Sequence, residues 1–160
     1  MVNGIGTEII LIAALILING FFAGAEAALI SVRRSRVDEL AASGRRSARV
    51  LKRLKDAPDR FLATVQVGVT LVGTLASVVS GATVVVFLTP ILRDIPFKLI
   101  SSFAPQIAII IVVAAIAFAS LVFGELVPKY FAMAHPDRVA LATARPIAVL
   151  SRIGYPLVTV

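Results

Sequence analysis

The sequence predicts an all-α integral membrane protein with three transmembrane helices and cytoplasmic juxtamembrane amphipathic helices. Three observations support this fold class. The chain of 160 residues is 59% hydrophobic, above the roughly 45–50% that is typical of soluble domains. Three stretches reach the roughly 20 apolar residues that a helix needs to cross a bilayer. The basic residues are concentrated in one connection between these stretches.

The three predicted spans cover residues 9–32, 61–88 and 103–127. The first and third contain one charge each, Glu26 and Glu125, and the second contains none. Backbone groups in lipid must find hydrogen-bond partners within the chain, which predicts helices unless a helix is broken inside the protein. The first stretch lacks a basic leading segment and is longer than a signal-peptide core, so a signal peptide is disfavoured.

The distribution of charge predicts the orientation. Residues 33–60 hold ten of the sixteen Lys and Arg residues, whereas the connection between the second and third spans holds only Arg93 and Lys98. The positive-inside rule then places residues 33–60 in the cytoplasm, the N-terminus outside and the C-terminus inside, across the inner (plasma) membrane. A net charge of +7 beside membrane helices favours contact with anionic lipids, and no nucleic-acid partner is expected.

Two amphipathic segments are predicted on the cytoplasmic side. Residues 35–57 carry an apolar stripe, and Gly44 is expected to divide them into two helices because glycine commonly ends a helix. Asp59 is expected to cap the helix of the second span. Residues 137–160 place an arginine every seven residues on one helical face, with an interruption expected at Pro146. The abrupt apolar end predicts that a further cytoplasmic domain follows.

The two intramembrane glutamates are the main candidates for function. A carboxylate at membrane depth costs roughly 2.5 kcal/mol or more, so it usually faces a cavity or a partner. Glu26 closely follows Gly24, and Glu125 directly follows Gly124. Both positions therefore indicate sites that handle a cation.

Each glutamate also has a structural alternative, an ion pair with a basic neighbour. Glu26 could pair with an arginine of the Arg33-Arg34 dipeptide. Glu125 could pair with Lys129 at i,i+4, for a few tenths of a kcal/mol. Pro128 lies between them and removes a helix hydrogen bond, which disfavours a regular pair. The helix is expected to kink or stop beside Glu125 and to free carbonyls for a cation.

The second span offers further oxygen atoms on one helical face, at Gln66, Thr70, Thr74 and Ser77. These side chains could hydrogen-bond a neighbouring helix, for about 1 kcal/mol, or line an ion route. Hard cations such as Mg²⁺ take oxygen ligands, commonly one or two carboxylates. The predicted metal ligands are Glu26, Glu125 and Thr70, and the wider cation-binding set adds Gln66, Gly24 and Gly124.

The sequence disfavours an enzyme. It contains no nucleophile–base pair, P-loop or zinc motif, and the absence of cysteine excludes thiolate sites. The single histidine, His135, lies at a predicted cytoplasmic turn and is assigned a structural role.

Three stretches together resemble the transmembrane domain of the CNNM/CorC family of divalent-cation transporters. They are residues 20–32 ("GFFAGAEAALISV"), 54–73 ("LKDAPDRFLATVQVGVTLVG") and 123–138 ("FGELVPKYFAMAHPDR"). The resemblance implies three membrane helices, a juxtamembrane belt and a homodimer whose halves each hold a cation pocket. It also implies coupling to the entry of Na⁺ or of protons, and a CBS-pair domain after residue 160 that binds adenine nucleotide.

The chain departs from the family pattern at two motifs. The usual Ser-Gly-Ser-Glu of the first span is Ala23-Gly24-Ala25-Glu26 here, and the usual Gly-Asn-Asn of the second span is Gly68-Val69-Thr70. Only Gly124-Glu125 matches fully. Fewer oxygen ligands weaken a dehydrated magnesium site, and a branch with this variant is linked to polyamine export.

Three functions are therefore considered. The first is secondary-active export of a divalent metal cation, Mg²⁺, by alternating access through an acidic pocket. The second is export of a polyamine or another organic cation by the same frame. The third is a membrane anchor that regulates another transporter without transporting. An acidic cavity with Glu26 near Glu125 would favour transport, whereas glutamates capped by loop arginines would favour the anchor.

Overall fold

The computed structural model describes residues 2–80 and 83–153, and within these ranges every regular element is helical. The described residues form nine α-helical segments and one π-helical turn. The α-helices are α1 (Val2–Ser31), α2 (Arg34–Ala42), α3 (Arg46–Asp56), α4 (Pro58–Ser80), α5 (Thr83–Arg93), α6 (Lys98–Ser102), α7 (Ala104–Leu121), α8 (Val127–Ala134) and α9 (Pro136–Ile153). The π turn, Val122–Leu126, joins α7 to α8 without a break.

Two helices are long and apolar enough to cross a membrane. They are Gly6–Ser31 in α1 and Ala104–Ala134, which comprises α7, the π turn and α8. Both expose large apolar side chains, such as Ile10 and Ile110, as expected for surfaces in contact with lipid. The predicted first and third spans therefore correspond to membrane-type helices, and the third extends seven residues beyond the predicted end.

The predicted second span is not confirmed as a membrane span. Its described residues belong to α4, as far as Ser80, and to α5, from Thr83, and residues 81 and 82 lie outside the described residues. Among the described residues, neither α4 nor α5 is one of the helices long and apolar enough to cross a membrane. A membrane span at α4 is therefore left to the proposal below.

The core centres on the C-terminal half of α1. This half packs against α4, α8 and α9, and α9 also packs against α3. Ala28, Leu51, Phe61 and Ile147 are all nearly inaccessible there. A smaller apolar cluster joins α5 and α7 around Ala104. The C-terminal half of α1 is thus held on several sides, and this is the half that carries Glu26.

The helices α2, α3 and α9 form a belt around the end of α1, on the side predicted to be cytoplasmic, and are here called the cytoplasmic belt. Gly44 has a φ of +82° and lies between α2 and α3, which confirms the predicted division. Two predictions in this region are wrong. Asp59 lies within the first turn of α4, after Pro58, so it is not the cap. The helix α9 continues through Pro146, which is exposed, as is Ala142, the residue whose carbonyl loses its backbone donor.

Lys55 fastens the belt to the first membrane helix. Its Nζ donates to the carbonyl oxygen of Leu29 at 2.5 Å and lies 3.4 Å from that of Ile30. These carbonyls belong to the last turn of α1, where no further backbone N–H is available. Burial, together with the charge of Arg34, lowers the pKa of the Lys55 ammonium. The C-terminal end of α1 is therefore capped by a side chain of α3.

Candidate cation-binding site

The two intramembrane glutamates meet at one ammonium group. Lys129 on α8 places its Nζ 2.8 Å from Oε1 of Glu125 and 4.0 Å from Oε2 of Glu26. The three side chains are between 31% and 47% exposed. Glu26 and Glu125, far apart in sequence, are thus brought together as predicted. The cation between them is Lys129, which was expected from the sequence only as a partner of Glu125.

The i,i+4 pair between Glu125 and Lys129 is formed in spite of Pro128. The expectation that proline would disfavour this pair is wrong, and the helix does not stop beside Glu125. The chain instead widens into the π turn, in which the N–H of Val127 donates to the carbonyl of Val122. Widening by one residue accommodates the proline ring and keeps the helix continuous. Turns of this kind are frequent at functional sites.

Asn19 supports the π turn from α1. Its Nδ2 donates to the carbonyl oxygen of Gly124 at 3.0 Å. In a regular α-helix that oxygen would accept from residue 128, which is proline and has no N–H. The asparagine therefore replaces a donor that the helix itself cannot supply. A side chain at Gly124 would lie 3.2 Å from this amide, so the contact requires glycine.

The glycines of α1 allow the same close approach. A Cβ at Gly20 would lie 2.8 Å from Cγ of Pro128 and 3.0 Å from the carbonyl oxygen of Phe123. A Cβ at Gly24 would lie 3.5 Å from the carbonyl oxygen of Pro128. The small-xxx-small pattern thus brings α1 against the π turn and α8. Gly24 therefore takes part in helix packing against Pro128.

The oxygen atoms of α4 lie apart from the glutamates. Gln66 and Thr70 are exposed, whereas Gly68 between them faces the ring of Phe22 on α1. A step of two residues along a helix turns the side chain by about 200°. Gln66 and Thr70 therefore lie on the side of α4 opposite Gly68 and point away from α1. Within the described ranges, neither Gln66 nor Thr70 hydrogen-bonds to Glu26 or Glu125. Thr74 Oγ1 donates within its own helix, to the carbonyl of Thr70.

A cavity of about 560 Å³ lies between α1, α4, α5 and α7. Its lining is apolar except near Asn19, Gly73 and Ser120, and neither glutamate belongs to it. This cavity is therefore not the expected acidic one, because most of the residues that line it are apolar. Asn19 connects it to the π turn, and the Oδ1 of Asn19 is buried without a hydrogen-bond partner among the described residues. No group of three or more metal-binding side chains occurs among those same residues.

The loop arginines do not cap Glu26. Arg34 pairs instead with Asp56 at 2.6 Å, so the alternative of a glutamate bound to the loop is wrong where Arg34 is concerned. The ammonium of Lys129 takes that place from α8. The charged residues nearest to Glu26 thus belong to the membrane helices themselves.

A protein-family model matches most of this chain. The cyclin M (CNNM) transmembrane N-terminal domain matches residues 10–160. The chain belongs to the CNNM family. Its apolar helices agree with a membrane protein, and the family is one of membrane transporters rather than of known enzymes.

Bacterial relatives of this CNNM domain carry the UPF0053 designation. UPF0053 protein sll0260 of Synechocystis sp. is 39% identical over 156 residues, which are 98% of this chain and 34% of the relative. UPF0053 protein YhdP of Bacillus subtilis is 32% identical over 94% of this chain and 34% of its own length. UPF0053 inner membrane protein YfjD of Escherichia coli is 30% identical over 88% of this chain and 29% of its own. The chain spans about one third of the length of these relatives.

Two features of this CNNM site were not found from the sequence. Asn19 was not singled out from the sequence, and Lys129 was considered only as a partner of Glu125. A signal did exist for both residues. An amide inside an apolar helix and a lysine four residues after an intramembrane glutamate are each costly without a partner.

Proposed function

We propose that this domain is the membrane part of a secondary-active transporter that exports a divalent metal cation, Mg²⁺, with Na⁺ as the coupling ion. Its three spans are α1, α4 and the continuous helix of α7, the π turn and α8. The N-terminus lies outside and the cytoplasmic belt inside, in the inner membrane. The protein works as a homodimer, and a CBS-pair domain that binds adenine nucleotide follows in the complete chain.

The observation that carries this proposal is the charge at the meeting point of the glutamates. Two carboxylates and one ammonium leave a formal charge of −1, and Lys129 makes a short contact with only one of the two carboxylates. A dehydrated carboxylate is costly in the membrane unless it has a partner. A second cation is therefore attracted to the site.

Mg²⁺ suits this site because it keeps several waters and needs only one or two carboxylates from the protein. Its entry requires that Lys129 withdraw, since like charges repel strongly where little water is present. Lys129 returns to the carboxylates when the ion leaves, so the empty site does not hold two unpaired charges. This exchange is the proposed basis of alternating access.

The remaining predicted ligands enter after a rearrangement. Gln66 and Thr70 are on the exposed face of α4, so they contribute oxygens only if that face turns toward Glu26 and Glu125. Gly24 and Gly124 act by allowing close packing at the π turn. In this proposal the Thr70 oxygen belongs to a second, occluded state of the transporter.

Calorimetry on the complete protein tests this function. Mg²⁺ is titrated into wild type, Glu26→Gln and Glu125→Gln, with Asp94→Asn as the matched control, because Asp94 is exposed in a connection far from the site. Saturable binding should be lost in both glutamate variants and retained in the control. Equal binding in all four proteins would contradict the site.

One observation favours the second candidate, a polyamine or another organic cation. The group now lying between the carboxylates is itself an alkylammonium, that of Lys129. Putrescine carries two such groups, and the apolar cavity beside Asn19 offers room for its methylene chain. Saturable binding of putrescine without binding of Mg²⁺ would replace the first candidate by this one. Binding of no cation at millimolar concentration would favour a non-transporting regulatory anchor.

A further inference from the structure

Five arginines surround a groove between α3 and α9, here called the arginine groove. One lobe, of about 360 Å³, is lined by Arg46, Arg145 and Arg152. The other, of about 190 Å³, is lined by Arg53, Arg60 and again Arg152. The two lobes share Val50 and Ala148 in their walls. The groove thus combines a strongly basic rim with an apolar floor.

The rim lacks carboxylates to balance it. The acidic residues of the belt pair elsewhere, Asp38 with Lys52, Asp56 with Arg34, and Asp137 and Glu39 with Arg36. In the part of the chain that the structure describes, the guanidinium groups of Arg46, Arg53, Arg145 and Arg152 form no ion pair. Four positive charges in one groove repel one another, so the structure favours an anion there.

The spacing of the arginines gives the groove its form. Arg46 and Arg53 are seven residues apart on α3, and Arg145 and Arg152 are seven apart on α9. Seven residues are about two helical turns, so each pair forms a row along one helix. The two helices pack against each other with these rows on either side of the apolar floor. Guanidinium groups bind phosphate through two parallel hydrogen bonds.

The groove lies at the level of the membrane surface. The helix α3 is fastened through Lys55 to the last carbonyls of α1, and α9 begins two residues after the end of the long helix at Ala134. The end of α1 is therefore tied to the C-terminal turn of α3, next to Leu54 in the wall of the smaller lobe. Phe61, in the wall of the smaller lobe, begins the uncharged run of α4. Phosphates of the inner leaflet occupy this depth.

We propose that the arginine groove binds the headgroup of an anionic phospholipid, with its phosphate among the guanidinium groups and its glycerol and upper acyl carbons over Val50 and Ala148. Two lobes that share Arg152 fit a headgroup with two phosphates better than one with a single phosphate. The occupant is a lipid rather than a soluble phosphate because the floor is apolar and the end of α1 is tied to α3 beside the groove. This inference does not depend on the transported cation.

Native mass spectrometry of the complete protein in detergent tests the groove. The probes are diphosphatidylglycerol, phosphatidylglycerol and zwitterionic phosphatidylcholine. The groove variant combines Arg46→Gln with Arg152→Gln. The control combines Arg45→Gln with Arg138→Gln, which removes the same charge from positions beside α3 and on α9 that do not line the groove. Arg145→Gln serves as a second test if the groove variant fails to fold.

The groove variant should bind diphosphatidylglycerol about thirtyfold more weakly than wild type, because each of its two lost arginines contributes about fivefold near a membrane. The control should bind it at most about threefold more weakly. The affinity should fall from diphosphatidylglycerol to phosphatidylglycerol and should be least for phosphatidylcholine. Equal losses in the groove variant and in the control would show only diffuse attraction and overturn the proposal. Displacement of the lipid by millimolar inorganic phosphate would overturn it in favour of a soluble ligand.

Discussion

Arg36 in the cytoplasmic belt and Lys129 at the π turn each lie near two carboxylates, but the distances to those carboxylates differ. Arg36 reaches Glu39 at 2.7 Å and Asp137 at 2.9 Å through separate nitrogens. Lys129 reaches Glu125 at 2.8 Å but stands 4.0 Å from Glu26. The planar fork of arginine satisfies both acids at once, whereas a single ammonium satisfies one of them.

The surroundings increase the difference. Further arginines lie close to Arg36, and its contacts with Glu39 and Asp137 raise the pKa of its own guanidinium. Around Lys129, the neighbouring helices are apolar. Both carboxylates beside Arg36 are therefore paired at short distance. At the membrane site one carboxylate is not, and an incomplete set of ion pairs is what a site for an exchangeable cation requires.

The largest expected effect comes from changing the cation at the membrane site. Lys129→Met removes the competing ammonium and should strengthen Mg²⁺ binding by about tenfold, because the repulsion between like charges at this distance is lost. Lys129→Arg should have the opposite effect, since a fork can satisfy both carboxylates as Arg36 does. Calorimetry on the complete protein measures both.

The control for the lysine variants is Lys52→Met in the belt, where the ammonium pairs with Asp38 alone. It should leave Mg²⁺ binding unchanged. Weaker binding in Lys129→Met would mean that the lysine holds the site together rather than competing for it.

A smaller effect is expected from packing at the π turn. Gly20→Ala places a methyl group 2.8 Å from Cγ of Pro128 and 3.0 Å from a backbone oxygen, so the helices must separate. Overpacking of this kind costs about 1–3 kcal/mol. Gly73→Ala is the matched control, because its Cβ would meet no atom within 4 Å. Thermal unfolding in detergent should show a lower midpoint for the first variant only, and equal midpoints would contradict the close approach.

The smallest effect concerns the belt and is dependent on pH. The hydrogen bond from Lys52 lowers the pKa of the Asp38 carboxyl below 3.8. A carboxyl whose pKa is lowered on folding stabilises the fold above its ordinary pKa, and this stabilisation is lost as the pH falls through the folded value. Asp38→Asn should therefore remove a small part of the acid destabilisation below about pH 4, measured as the unfolding midpoint against pH. Lys52→Gln should remove the same part, and an unchanged acid limb in both variants would show that the pair contributes nothing.

Local features of the sequence predicted much of the fold. Apolar run lengths predicted the helices that contain Glu26 and Glu125, and Gly44 predicted the division of the belt. Pro146 was misjudged because the burial of a carbonyl, which decides the cost of proline, cannot be read from the sequence.

The candidate site was predicted in part, as a meeting of Glu26 and Glu125. The rest depends on contacts across the chain. The hydrogen bond from Asn19 to Gly124 joins residues 105 positions apart. It pairs an amide that has no partner in its own helix with a carbonyl whose usual donor is replaced by proline. This pairing can be recognised only once α1 is known to lie against the π turn. Thr70 and Gln66 were assigned to the site by their chemistry, and the direction in which their helix faces separates them from it.

The reactivity of Lys129 tests the central claim most directly. The complete protein is acetylated briefly with and without saturating Mg²⁺, and the modified fraction of Lys129 is measured by mass spectrometry, with Lys52 as the internal control. If the cation displaces the ammonium from Glu26 and Glu125, labelling of Lys129 should rise on addition of Mg²⁺, while that of Lys52 stays constant. Saturable Mg²⁺ binding with unchanged labelling of Lys129 would contradict the exchange of one cation for the other.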